Sequence, residues 1–293
     1  MDIVLNLEPI NAFFSLPADQ MFWRFFILFW LSAFLSVVLF IIFLYLNRPT
    51  SLELDYFDVG QGDSELIQAP NHKLVLIDGG PDNLVIRRLG ENLQFYERKI
   101  DYVILSHFHD DHITGLIEVF KRYDIQNFIY LDSYDSPLLD NLLEIAKFKK
   151  IKVIVLKNSA QLNLDKNCFI NLFNPNILKI KPDQNNSIVV KLECNKNKFL
   201  FSGDNSAIVE KALIDYGFDL RAKVLKASHH GSKTANSEAF LTAVKPVDFI
   251  ISAGINNRFN HPSPEILERA LVFGLKIFRT DKQGTIKIRD IFE

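Results

Sequence analysis

Tyr102-Val103-Ile104-Leu105-Ser106-His107-Phe108-His109-Asp110-Asp111-His112 passes within one short segment from an apolar, β-branched run to a loop crowded with imidazoles and carboxylates. The apolar run reads as a buried strand, and ligand-type side chains hang from the loop beyond its end. Alternation along an extended chain puts His107 and His109 on one side, and Asp111 and His112, at the start of the next helix, can face them. Three imidazoles at one strand end repel one another once protonated, and a bound cation relieves that repulsion. Nitrogen and carboxylate oxygen together suit Zn²⁺ or a similar first-row ion. A solvated histidine-rich loop or a helix cap is the bland alternative. The remaining histidines favour the metal, since five of the seven fall in two groups, the second being His229 and His230 side by side.

Outward from this segment, residues 52–293 alternate short strand-like runs with amphipathic stretches. Strands are expected at 52–59, 64–68, 74–77, 102–105, 128–131, 153–156, 169–173, 188–192, 199–201, 222–226, 249–252, 276–279 and 285–288. Helices are expected near 84–93, 113–123, 138–148, 207–216, 238–244 and 264–273. Consecutive strands come early and helices alternate with strands later, which points to an α/β fold of sheets sandwiched by helices rather than a doubly wound sheet. Asn195-Lys196-Asn197 reads as a hairpin turn, and Gly60-Gln61-Gly62-Asp63 as a turn whose geometry depends on glycine.

Ahead of this domain, residues 25–46 read FFILFWLSAFLSVVLFIIFLYL without a charge. At 1.5 Å per residue the run spans about 33 Å, matching a bilayer core. It is too long for a signal peptide, and its leader, with Asp2, Glu8 and Asp19, is too acidic. The expected organisation is a leader (1–24), one transmembrane helix (25–46), a linker (47–51) and an α/β domain (52–293). Trp23, Trp30 and Tyr45 suit the membrane interfaces, and Asn47-Arg48-Pro49 closes the helix. Arg24 and Arg48 flank the two ends almost symmetrically, so charge does not orient it.

Across all 293 residues, 33 Lys+Arg against 35 Asp+Glu give a net charge of −2, with 48% hydrophobic residues. This excludes a disordered chain and argues against a protein that grips nucleic acid through bulk charge, so phosphate binding must be local. Cys168 and Cys194 are too few for a disulfide framework; one bridge is possible, and free buried thiols are the expectation. A cysteine-based zinc motif is excluded.

The hexapeptide 107–112 is His-x-His-x-Asp-His, and through it the chain resembles the metallo-β-lactamase superfamily. More narrowly, it resembles the C-terminal domain of the ComEC family of DNA-uptake proteins. The matching pieces run in family order: Asp58-Val59-Gly60-Gln61-Gly62-Asp63-Ser64, Leu76-Ile77-Asp78-Gly79-Gly80, the hexapeptide with Gly115-Leu116, and Asn186-Ser187 with Ile188-Val189-Val190. Phe201-Ser202-Gly203-Asp204, Ser228-His229-His230-Gly231-Ser232, Asn260-His261-Pro262 and Arg279-Thr280-Asp281 follow, covering roughly residues 51–290. The resemblance implies a four-layer αβ/βα sandwich with a metal site in the cleft between two sheets.

It also implies roles, residue by residue. His107 and His109 resemble ligands of a first metal, Asp111 and His112 those of a second, and Asp204 the bridging carboxylate. One of His229 and His230 completes the second metal; His229 is preferred, with His230 turned to the scissile phosphate. Asp78 resembles a buried carboxylate that orients ligands, with Asp63, Asn186 and Ser187 beside it. Asp111, His230 and His261 are the catalytic candidates, His261 holding a phosphate oxygen or protonating the leaving group. Lys226, Lys233 and Arg258 stand within reach of phosphates, though each also fits an ordinary surface charge. Many superfamily hydrolases supply a further histidine between the His-rich loop and the bridging aspartate, whereas here none lies between His112 and His229. The expected cofactor is therefore one or two divalent ions, zinc first and manganese as the alternative.

The function implied is a membrane-anchored, metal-dependent phosphodiesterase or nuclease that cleaves DNA by metal-activated water, with its domain on the extracytoplasmic side. A single helix forms no pore, so a separate channel protein is the expected partner in uptake. The alternatives are a hydrolase of another phosphoester or of a small ester or lactone, and a non-catalytic module of an uptake complex.

Overall fold

A computed structural model describes residues 17–46, 51–131, 136–178 and 186–289. The leader up to residue 16 and linker residues 47–50 lie outside them. The chain separates into two compact units, Met1–Pro49 and Thr50–Glu293. The first contains helix α1 (Ala18–Leu46), whose segment Gln20–Leu44 has a mean hydropathy of 2.9 and is long and apolar enough to cross a bilayer. The helix begins ahead of the charge-free run, because Arg24 interrupts apolarity without interrupting helical hydrogen bonding: the Met21 N–H already donates to the Pro17 carbonyl at 3.0 Å.

The second unit runs β1 (Glu53–Tyr56), β2 (Glu65–Gln68), β3 (Leu74–Ile77), α2 (Leu84–Asn92), β4 (Lys99–Ile104), α3 (Asp110–Arg122), β5 (Asp124–Tyr130), α4 (Pro137–Phe148) and β6 (Lys152–Val155). It continues with β7 (Ala160–Asp165), β8 (Cys168–Phe173), β9 (Val189–Cys194), β10 (Asn197–Phe201), α5 (Ala207–Tyr216), β11 (Val224–Lys226) and α6 (Glu238–Val244). β12 (Asp248–Ile251), α7 (Pro264–Val272), β13 (Lys276–Arg279), α8 (Thr280–Gln283) and β14 (Ile286–Ile288) complete it. One seven-stranded sheet has the order β14-β1-β2-β3-β4-β5-β6 and the other β13-β12-β11-β10-β9-β8-β7. In each, four strands pair antiparallel and the fourth starts a parallel run of four. The two halves thus repeat one pattern that the sequence itself does not display.

Period-two alternation builds the layers. In β3, Val75 and Ile77 point into a core shared with the facing sheet, where Phe199 and Phe201 of β10 meet them. Leu74 and Leu76 point the other way, into a core closed by Val85 of α2, Ile113 of α3 and Leu142 of α4. On the far side, Leu200 packs with Leu213, Phe240 and Ile266 from α5, α6 and α7. The result is the four-layer αβ/βα sandwich. Each fully buried Leu or Phe in these layers contributes about 1.5–3 kcal/mol.

Two expectations change. β7 was not expected: Ala-Gln-Leu-Asn-Leu-Asp alternates apolar with polar residues, but Ala, Asn and Asp are poor strand formers and the strand is largely exposed at the sheet edge. Cys168 and Cys194 are a disulfide rather than free thiols: β8 and β9 pair antiparallel with these two residues directly opposite. Spacing alone could not register two strands so closely. The hairpin turn is present, with Asn195 in the left-handed region between β9 and β10.

Candidate metal centre

All the loops that carry the site follow the C-terminal ends of strands. Behind β4, Ser106 and His107 leave the sheet and His109 caps α3, so Asp110 and Asp111 occupy its first turn and His112 is fully buried within it. Asp78, just past β3 with φ 55°, is 1% exposed and accepts three hydrogen bonds. The Ser106 N–H donates at 2.7 Å, the Ser106 hydroxyl at 2.6 Å, and His112 Nδ1 lies 2.8 Å away. Holding Nδ1 in this way turns Nε2 of His112 into the cleft.

Asp204 sits behind β10 in the Ser202-Gly203-Asp204 turn. Gly203 has φ 53°, and a Cβ there would overlap the Ser187 side chain, so the turn closes this tightly only with glycine. The Asp204 N–H donates to Ser187 Oγ at 2.9 Å, and Asn205 clamps Ser187 through its backbone N–H and carbonyl. Asn186 donates to Asn176 at 3.1 Å, its own Oδ1 being buried without a partner. These contacts place the Asn186-Ser187 segment behind the carboxylate as its support.

Adjacent side chains normally diverge, yet His229 and His230 both face Asp204. They adopt left-handed φ values of 51° and 53°, a conformation costing about 1–2 kcal/mol per non-glycine residue. His229 Nε2 stands 3.6 Å from Asp204 Oδ2, the oxygen that His107 Nε2 faces at 3.7 Å. His230 Nε2 stands 3.7 Å from Oδ1, the oxygen that His112 Nε2 faces at 3.5 Å. Asp111 Oδ2 lies 3.2 Å from His230 Nε2. The pair is therefore disposed opposite to the expectation: buried His230 groups with Asp111 and His112, while His229, 28% exposed at its side chain, lies on the His107 side. Sequence order could not resolve this, because it depends on the consecutive left-handed residues. His109 lies beside His107, with ring centroids 4.6 Å apart.

A second line of buried groups supports His230. Its Nδ1 faces Asp63 Oδ1 at 3.1 Å and the Ser252 carbonyl at 3.1 Å, and Asp63 Oδ2 accepts from Lys226 Nζ at 2.7 Å. Lys226 is 1% exposed, so the reading of it as a phosphate-touching or surface charge is corrected: it is the buried counter-ion of Asp63. Gly62 allows this approach, since a Cβ there would overlap the Asp111 carbonyl oxygen. Lys233 is exposed, and its charge acts on Glu265. Arg258 is exposed at the mouth of a cavity that Asp111 also lines. His261 stacks toward His230 with centroids 6.5 Å apart. Ser106, Lys226 and Asn205 were not anticipated in these positions; only Ser106, adjoining His107, carried a local signal.

The electrostatics fit a cation. Burial works against the charged form of Asp204, yet the imidazoles of His230, His112 and His107 outweigh it and hold the carboxyl well below the usual range. Burial depresses His107, and repulsion from His112 adds to this, leaving a neutral imidazole. Burial would also depress His112 and His230, but Asp204 with Asp78 raises the first well above normal, and Asp204 with Asp63 raises the second to about 10. The carboxylates thus demand positive charge at the points where imidazole nitrogens converge. His107 Nε2, His112 Nε2, His230 Nε2 and Asp204 Oδ1 are all buried without a hydrogen-bond partner. Such orphans are costly unless a ligand completes them. Two groups, His107–His112–Asp204 and Asp111–His112–His230, each bring their ligand atoms within 4.8 Å of one another. Nitrogen and carboxylate donors of this kind fit zinc or another first-row divalent ion.

The chain is similar to several known proteins. The chain is 28% identical over 270 residues to ComE operon protein 3 of Bacillus subtilis (strain 168), covering 86% of this chain and 35% of that protein. It is 27% identical over 233 residues to competence protein ComA of Neisseria gonorrhoeae, covering 79% of this chain and 31% of that one. The chain thus spans about a third of the length of these curated relatives. Among solved structures, the metallo-beta-lactamase fold protein YhfI from Bacillus subtilis superposes with a TM-score of 0.56 at 14% identity, covering 81% of this chain and 99% of that one. The short form of human tRNase Z gives a TM-score of 0.52 at 12% identity, covering 80% and 98%. The metallo-beta-lactamase superfamily model matches residues 57–254, more than half of the chain, and the chain belongs to that superfamily.

Proposed function

We propose that this superfamily hydrolase is a membrane-anchored phosphodiesterase that cleaves DNA in an uptake system, using divalent ions held by His107, His109, His229 and Asp204 on one side and by Asp111, His112, His230 and Asp204 on the other. The observation that carries the reading is the convergence of three buried, unpartnered imidazole nitrogens on one carboxylate. The substrate class draws on the resemblance to the DNA-uptake family and on the relative named competence protein ComA, to which 79% of this chain aligns. When bound, the ions supply Lewis-acid stabilisation of the nucleophile and of the negative charge that develops at phosphorus. Asp78 keeps the His112 proton on Nδ1, and the Ser252 carbonyl, with Asp63 beside it, does the same for His230, so both Nε2 atoms stay available as ligands. Burial, with the neighbouring His230 and His229 imidazoles, depresses His261 to about 4, so it is neutral at pH 7. A neutral imidazole suits holding a phosphoryl oxygen better than protonating a leaving group.

Helix α1 supplies the anchor. An extracytoplasmic position for the domain is supported by the Cys168–Cys194 bridge, since such bonds persist in oxidising compartments. The test is hydrolysis of single- and double-stranded DNA by the full chain in detergent micelles, with Zn²⁺ or Mn²⁺ added after chelation. Cleavage that requires the ion and vanishes in Asp204→Ala supports the reading, whereas absence of ion-dependent cleavage rejects it.

A further inference from the structure

Beside the metal centre opens a cavity of about 430 Å³, lined by Gln61, Pro81, Asp111, Arg258 and Phe259. Asp111 belongs to both the cavity and the cluster. Phe259 is 48% exposed, and the Arg258 guanidinium lies over its ring, 4.8 Å from the centroid. This presentation is built into the loop. Asn257 Oδ1 accepts from the N–H groups of Phe259 at 3.2 Å and His261 at 3.0 Å, while its Nδ2 donates to the carbonyls of Gly254 and His261. Gly254 N–H in turn donates to Gln61 Oε1 at 3.1 Å, tying this loop to the one that carries Asp63. Phe259 stacks on His261 at 5.9 Å and 25°, and His261 on His230 at 6.5 Å and 29°. A ladder of flat groups thus runs from the surface to the phosphate-cleaving position. Phe259, half exposed with an exposed guanidinium beside it and one ring away from that position, fits a flat heteroaromatic group attached to an anionic backbone.

We propose that Phe259, together with Arg258, is a stacking platform for an unpaired nucleobase next to the scissile phosphodiester, so that the site selects single-stranded DNA. A base within a duplex has both faces covered by its neighbours and cannot use the platform. The proposal rests on the phosphodiesterase reading only for its choice of substrate, so binding is the test. The full chain in detergent micelles is titrated by fluorescence anisotropy against a labelled single-stranded oligonucleotide and against an abasic strand of equal length. The base-bearing strand binds about tenfold tighter, Phe259→Ala removes the preference, and Phe259→Trp retains it. Equal affinity for the two strands, a preference that survives Phe259→Ala, or no binding of either strand overturns the proposal. Base-dependent binding without ion-dependent hydrolysis leaves the platform standing and removes the enzyme reading; hydrolysis without base preference does the reverse.

Discussion

Replacing Asp78 by asparagine changes one atom in a carboxylate that is 1% exposed, and the hydrogen bonds around it fix the outcome. Asp78 Oδ1 accepts from the Ser106 N–H, and Oδ2 accepts from the Ser106 hydroxyl and faces His112 Nδ1. If the amide nitrogen takes the Oδ2 position, its N–H points at His112 Nδ1. The imidazole proton must then move to Nε2, where a lone pair is needed for the metal. If the amide is flipped, its NH₂ faces the Ser106 N–H, two donors with no acceptor between them. Either arrangement costs the ligand its orientation, and outer-shell substitutions of this kind lower metal affinity by about 10–100-fold. That range corresponds to about 1.4–2.7 kcal/mol. Calorimetric titration of the chelated full chain with Mn²⁺, in micelles, reads the loss directly. Asp78→Ala serves as the harsher reference, since it also strands the buried Ser106 N–H at a further cost of about 1–3 kcal/mol in stability. Wild-type Mn²⁺ affinity in Asp78→Asn would refute the argument that this carboxylate sets the His112 tautomer.

Other consequences can be checked in the same preparation. Lys226→Met leaves Asp63 buried without its counter-ion, a loss of about 3–5 kcal/mol, and a thermal scan should show Tm falling by roughly 10 °C; an unchanged Tm would mean that the pair contributes nothing. Thiol labelling of denatured protein should find Cys168 and Cys194 unreactive until a reductant is added, and labelling without reductant would remove the bridge. Because His261 is held at about 4, it stays neutral throughout the range above that value. His261→Gln should therefore lower kcat without moving either limb of the pH–rate profile between pH 6 and 9, and a displaced limb would assign His261 a proton-transfer role.

The fold was largely legible because its buried strands are short apolar runs, as Leu-Val-Leu-Ile of β3 illustrates, and its helices carry period-3.6 patterns, as α3 does. Edge strand β7 alternates as well, but its Ala, Asn and Asp are poor strand formers and obscure the signal. In the centre, the His-rich loop announced itself through residue type and its position behind β4. The disposition of His229 and His230 did not, since it turns on two consecutive left-handed residues that no side-chain pattern encodes. Lys226 was misjudged for a related reason. Its counter-ion Asp63 lies 163 residues away in sequence, on the other sheet's loop, so nothing local distinguishes it from a surface lysine. Phe259, in the loop between β12 and α7, has no neighbour in sequence whose pattern marks that loop as bordering the centre.

The central claim is that Asp204 joins two sets of imidazoles into a site for divalent ions. Equilibrium dialysis of the chelated full chain in micelles against Zn²⁺ or Mn²⁺, followed by elemental analysis, measures it directly. Wild-type protein should retain ions at micromolar concentration and Asp204→Ala should retain none, with the thermal transition of the variant preserved. Ion retention in Asp204→Ala equal to that of the wild type, or none in the wild type itself, would contradict the claim.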